Sequence, residues 1–77
     1  MLYVYEFELF TGQDGWIIAR PFDFEGATQG ADVAEASEMA ADWLRTEIEY
    51  RLMDSRDIPE ATLGHEPARK NGRILLV

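Results

Sequence analysis

Only one stretch of this chain carries a sustained helical period, and a lone helix can cover only one face of whatever the remainder builds. From Asp32 onward, at about one hundred degrees per residue, Val33, Ala36, Ala40, Trp43, Leu44 and Ile48 fall on one apolar arc. Glu35, Glu38, Asp42 and Glu49 fall together on the opposite side as an acidic ridge. Asp32 followed three residues later by Glu35 is a capping box: the Asp carboxylate can accept from a backbone N–H of the first turn while the Glu reaches back. Glu47 and Arg51 lie inside the apolar arc at i,i+4 spacing, which predicts that the last turns overhang the sheet with these two paired at its margin. The helix is expected to end near Asp54.

The remaining segments read as strand. Leu2 to Phe10 alternates in period two, with Tyr3, Tyr5, Phe7 and Leu9 on one face and Leu2, Val4, Glu6, Glu8 and Phe10 on the other. Gly12 and the Asp14-Gly15 pair mark a hairpin turn, after which Trp16 to Arg20 is rich in β formers. Pro21 ends that strand because it has no N–H for the ladder. A third strand is expected near Gly26 to Gln29. Ser55 to Asn71, with Pro59, Gly64 and Pro67, reads as loop, and Arg73 to Val77 as an apolar strand. The fold class is α+β: a three-stranded antiparallel sheet, one long helix, then a final strand, in one domain over residues 1–77.

This order leaves a sheet face without a helix. Leu2, Val4, Trp16 and Ile18 share it with Glu6 and Glu8, so cover of part of that face from outside the domain is expected, from a homodimer partner or another segment of a longer polypeptide. The chain stops in mid-strand at Val77 without a terminator, which suggests truncation or a missing C-terminal module. At 77 residues only roughly 60% of the unfolded chain's surface can be buried, so stability is expected to be marginal.

Charge narrows the partners. The formal net charge is −8, and it is uneven: Met1 to Glu49 holds eleven acids against Arg20 and Arg45, while Tyr50 to Val77 holds four acids against five bases. Such a surface repels phosphate backbones, whose affinity for proteins comes largely from Lys and Arg, so direct nucleic-acid binding is not expected. The same field attracts a basic protein and speeds its encounter. Without cysteine there is neither a disulfide framework nor a thiolate nucleophile, and without a signal peptide or a long apolar run the expectation is a cytoplasmic protein with no membrane association.

Pro21, then Thr28-Gln29-Gly30, then Glu35-Ala36, a long helix and an Ile58-Pro59 pair resemble the HicB antitoxin pattern of a proline-led loop, T-Q-G, a helix-opening E-A and a closing I-P. The upstream hairpin ending Asp14-Gly15-Trp16 is similar too, so the resemblance spans Tyr3 to about Pro59. The chain departs from the family's Pro-Asp-Leu-Pro-Gly by reading Pro21-Phe22-Asp23-Phe24-Glu25-Gly26, with the glycine one place later. The resemblance implies a partial RNase H-like fold without the nuclease's active site. It also implies neutralisation of a small basic RNA-cleaving HicA-type toxin, oligomerisation, and a separate C-terminal DNA-binding segment that is absent from these residues.

Residues that could carry chemistry are few. Glu6 and Glu8 could hold magnesium in a nuclease, but they point away from the helix's acids, which leaves them as solvent-facing glutamates or partner contacts. His65, beside Gly64, Glu66 and Pro67, lacks a nucleophile and an orienting partner and reads as a surface histidine. Thr28, Gln29 and Gly30 read first as structural, the glycine permitting a sharp entry into the helix. Trp43 belongs to the core arc, whereas Trp16 opens a strand on the under-covered face, where it would anchor an interface. No catalysis and no cofactor are expected. The expected binding residues are Glu35, Glu38, Asp42, Glu49 and Trp16; the alternative is a stand-alone oligomeric regulatory or ligand-binding module.

Overall fold

The computed structural model describes residues 4–77, so the Leu2 and Tyr3 positions of the expected first strand lie outside the described residues. Four strands and one helix follow in the order β1 (Glu6–Thr11), β2 (Ile17–Pro21), β3 (Thr28–Gly30), α1 (Val33–Met53) and β4 (Arg73–Leu76). The sheet order is β3-β2-β1-β4 and every ladder is antiparallel.

The hairpin forms where the turn residues stand. Gly15 takes φ +88°, its N–H donates to the Gly12 carbonyl at 3.1 Å, and the Asp14 carboxylate accepts from the Trp16 N–H at 3.2 Å. Pro21 is the last residue of β2, opposite Phe7. The third strand begins two residues later than expected, because Gly26 sits at φ +121°, a left-handed conformation that a strand cannot contain and that L side chains rarely adopt.

Helix α1 begins at the expected cap. The Asp32 carboxylate accepts from Glu35 N–H at 2.8 Å, and Glu35 Oε1 reaches one residue past the cap to accept from Ala31 N–H at 2.8 Å. Ala36, Ala40, Leu44 and Ile48 bury themselves against Tyr5, Phe7, Leu9, Ala19 and Phe24. Small alanines in the first half let α1 lie close on β3 and β2, where its contacts concentrate. Two details of the expected arc change. Trp43 is only partly buried at the core's edge, and Val33 is half exposed because the first turn runs out over an opening at the sheet's end. Glu47 and Arg51 do pair, at 3.0 Å, and the Arg51 guanidinium lies 5.1 Å from the Phe24 ring centroid while donating to the Asp57 carbonyl at 2.9 Å.

Strand β4 runs antiparallel to β1, and since β3 and β1 run the same way, β4 also opposes β3. A helix crossover alone would return the chain parallel to β3, so the connection after α1 must reverse it again. Residues 54–72 make that reversal. Ile58 and Pro59 first close the core on the helix side, with Tyr5 Oη donating to the Pro59 carbonyl at 2.5 Å. The chain then passes beneath β1 and turns at residues 69–72, where the Gly72 N–H donates to the Arg69 carbonyl at 2.9 Å.

Part of the outer face, expected to need cover from outside the domain, is covered from within it. Beneath β1 the cover is the chain's own loop; farther out, Ile18 is half buried, and Trp16 and Gln29 stay exposed.

Candidate functional site

Glu6 and Glu8 are 7% and 3% exposed, not the solvated pair their spacing suggested. Period-two alternation sets both beneath β1, and the returning loop supplies donors to each. Glu6 accepts from Gly64 N–H at 3.1 Å, His65 N–H at 2.9 Å and His65 Nδ1 at 2.6 Å. Glu8 accepts from Arg69 N–H at 3.0 Å and from the Arg69 guanidinium at 3.1 Å. A third carboxylate, Asp23, takes Thr62 N–H at 2.9 Å and Thr62 Oγ1 at 2.6 Å. Three acids thus hold one loop in place.

His65 is likewise no free surface group. Its ring stacks on Phe22 at 3.9 Å between centroids, and its Nε2 lies 3.0 Å from Thr62 Oγ1. Hydroxyl, imidazole and carboxylate here follow the order of a hydrolase triad. The Thr62 proton, however, is directed at Asp23, so the hydroxyl is held as a structural donor and is not poised as a nucleophile. The Thr62 hydroxyl thus donates to Asp23, while the same oxygen lies within hydrogen-bonding distance of the imidazole that Glu6 orients from its other side.

The backbone N–H bonds from His65 and Gly64, foremost that of His65, hold the Glu6 carboxyl below its ordinary value against the opposing effect of burial, and the imidazole adds a lesser lowering. A carboxylate depressed in the folded state stabilises fully above its unfolded pKa, and that contribution disappears as pH falls through the depressed folded value. Urea midpoints followed from about pH 6 to about pH 3 should therefore decline, with a shallower acid limb in Glu6→Gln than in the parent. Equal slopes in the two proteins would show that Glu6 is not the group through which acid loosens the loop.

The residues expected on the acidic ridge are where the helical period puts them. Glu35, Glu38, Asp42 and Glu49 are all exposed along the outside of α1. Asp42 pairs with Arg45 one turn on, and Glu35 is engaged in capping, which leaves Glu38 and Glu49 as the two of the four without a partner among the described residues. Beside the ridge runs a strip the charge pattern did not announce: Met39, Tyr50 and Met53 are exposed by 42%, 57% and 79%, with Thr46 between them. Its signal in the sequence was present, since these positions share one flank of the helix at i,i+4,i+7 spacing from Thr46 to Met53.

Trp16 is 40% exposed at the hairpin, and no described contact joins it to the ridge. Of the residues quoted for the family resemblance, Gly30 is buried and Ala36 is fully buried directly against it, so both pack α1 on β3; Gln29 faces solvent.

Among the described residues, no helix is long and apolar enough to cross a membrane. No family model, no curated protein and no solved structure matches the chain.

Proposed function

We propose that this domain is an antitoxin of the HicB kind, a cytoplasmic protein that neutralises a small basic RNA-cleaving toxin by binding it through the outer face of α1. The observation that carries the reading is the composition of that face: exposed carboxylates at Glu35, Glu38, Asp42 and Glu49 alongside the uncovered side chains of Met39, Tyr50 and Met53. Acids supply long-range attraction and orientation toward a cationic protein, and large apolar side chains supply the desolvated contact that keeps it bound. The sheet's outer face competes poorly for that role because loop 62–72 occupies it beneath β1. Relatedness to a partial RNase H-like fold rests on the quoted motifs and not on strand order.

A homo-oligomer is part of the reading. Strand β4 is an edge, and Leu76, 61% exposed on it, lies on the same side as exposed Val4. The alternative of a stand-alone oligomeric regulatory or ligand-binding module draws on these same residues.

Co-expression with the short basic open reading frame nearest the gene, followed by size-exclusion chromatography, tests the function. Co-elution with relief of toxicity is expected. Separate elution with toxicity unrelieved overturns the antitoxin reading, and a stable homo-oligomer in that case favours the alternative. The site is tested separately: charge reversal at Glu38 and Glu49 together should slow association about tenfold at low salt and change dissociation far less. An unchanged association rate would move the binding face off α1.

A further inference from the structure

Helix α1 lies over β3 and β2, and at the far end of β1 it leaves a cavity of about 570 Å3 open. Its apolar wall is Leu9, Ile17 and the half-exposed Val33; its opposite rim is the turn into β4, with Lys70, Asn71 and Arg73. We propose that this cavity binds a small organic anion, a carboxylate or phosphate carried on an apolar group.

Three observations support this site. First, the lining contains two cations and no acid, in a chain whose formal charge is −8. Second, both of those cations are without an ion pair among the described residues, as few bases of this chain are. Arg45, Arg51, Arg56 and Arg69 each have a carboxylate, whereas among the described residues Arg20, Lys70 and Arg73 enter no ion pair; Arg20 lies over the Phe10 ring, and of the three only Lys70 and Arg73 line the cavity. Third, Arg73 stands opposite Leu9 in the β1–β4 ladder. Directly paired residues project to the same face of a sheet, so the guanidinium leaves the backbone on the side where the apolar wall stands.

The chemistry of the ligand follows from these positions. A guanidinium offers a planar fork that matches two oxygens of a carboxylate or phosphate, and the lysine adds a mobile point charge. An aryl or short alkyl group attached to that anion would cover Leu9, Ile17 and Val33. The volume falls within the roughly 300–1,000 Å3 usual for small-molecule sites. A long cation on a strand end is often simply solvated; here the apolar wall and the missing counter-charges share one cavity.

The test is a titration of the 15N- and methyl-labelled chain with phenyl phosphate, benzoate and inorganic phosphate, followed by NMR. Saturable shifts are expected in the methyls of Leu9, Ile17 and Val33 and the amides of residues 70–73, with an aryl anion binding more tightly than inorganic phosphate. The stronger of the two aryl probes identifies the head group. The double variant Lys70→Gln, Arg73→Gln, both exposed positions, should bind about tenfold or more weakly with an unchanged melting temperature. Shifts that fail to saturate, that centre elsewhere, or that persist undiminished in the double variant overturn the site.

Discussion

Gly30→Ala should lower the thermal midpoint by about 15 °C, a loss of about 3 kcal/mol in a domain of this size. A Cβ built on Gly30 would come to 2.7 Å from the Glu35 carbonyl carbon and 2.8 Å from Ala36 Cα, with Ala36 N nearer still. These are backbone atoms of the first helical turn and cannot rotate aside as a side chain would. Relief requires α1 to move off β3, which also opens the fully buried contacts of Ala36 and Ala40. Circular dichroism melts of Gly30→Ala beside Gln29→Ala, an exposed neighbour, isolate the effect. A loss at Gly30 of less than about 1 kcal/mol would mean that helix and strand are not locked by this approach.

Phe7→Ala should cost about 3–5 kcal/mol, the range for removing a buried aromatic ring from a core. Phe7 is fully buried in the middle strand, with its ring edge-to-face with Trp43 at 6.1 Å between centroids. Tyr5 and Phe24 belong to the same buried cluster, and Phe24 also packs edge-to-face on Trp43, so the loss falls at the heart of one contiguous core. Equilibrium urea unfolding measures the loss, and a change in tryptophan emission reports whether Trp43 shifts into the vacated space. A cost below about 1 kcal/mol would place the centre of the core elsewhere.

The elements that could be read from the chain are those whose signals are local. Asp32 and Glu35 announce α1 because a cap needs only three residues' spacing, and Gly15 announces the hairpin because only its own φ matters. Tyr5, Phe7 and Leu9 were legible as core because alternation alone assigns them to one face. Local signals say nothing about where a loop travels. Glu6 and Glu8 looked solvated because their donors, Gly64, His65 and Arg69, are about sixty residues away in sequence and lie in a segment with no periodicity. Val33 was misplaced for a related reason: the helical arc gives direction, but not where the sheet beneath it stops. The acidic ridge could be read from spacing alone, whereas the flanking Met39, Tyr50 and Met53 needed the burial of their neighbours to show that nothing covers them.

The loop beneath β1 also orders events in time. During synthesis β1 can pair with β2 once about twenty residues are available, and α1 can settle on that sheet when Met53 is made. The other edge of β1 must wait for residues 73–76, and its two glutamates must wait for residues 64–69. Because contacts of such sequence separation are closed last and slowest, the strand at the centre of the sheet is the last to be completed. Until then it shows one bare edge and two hydrated carboxylates, and those charges guard the edge against pairing with another chain.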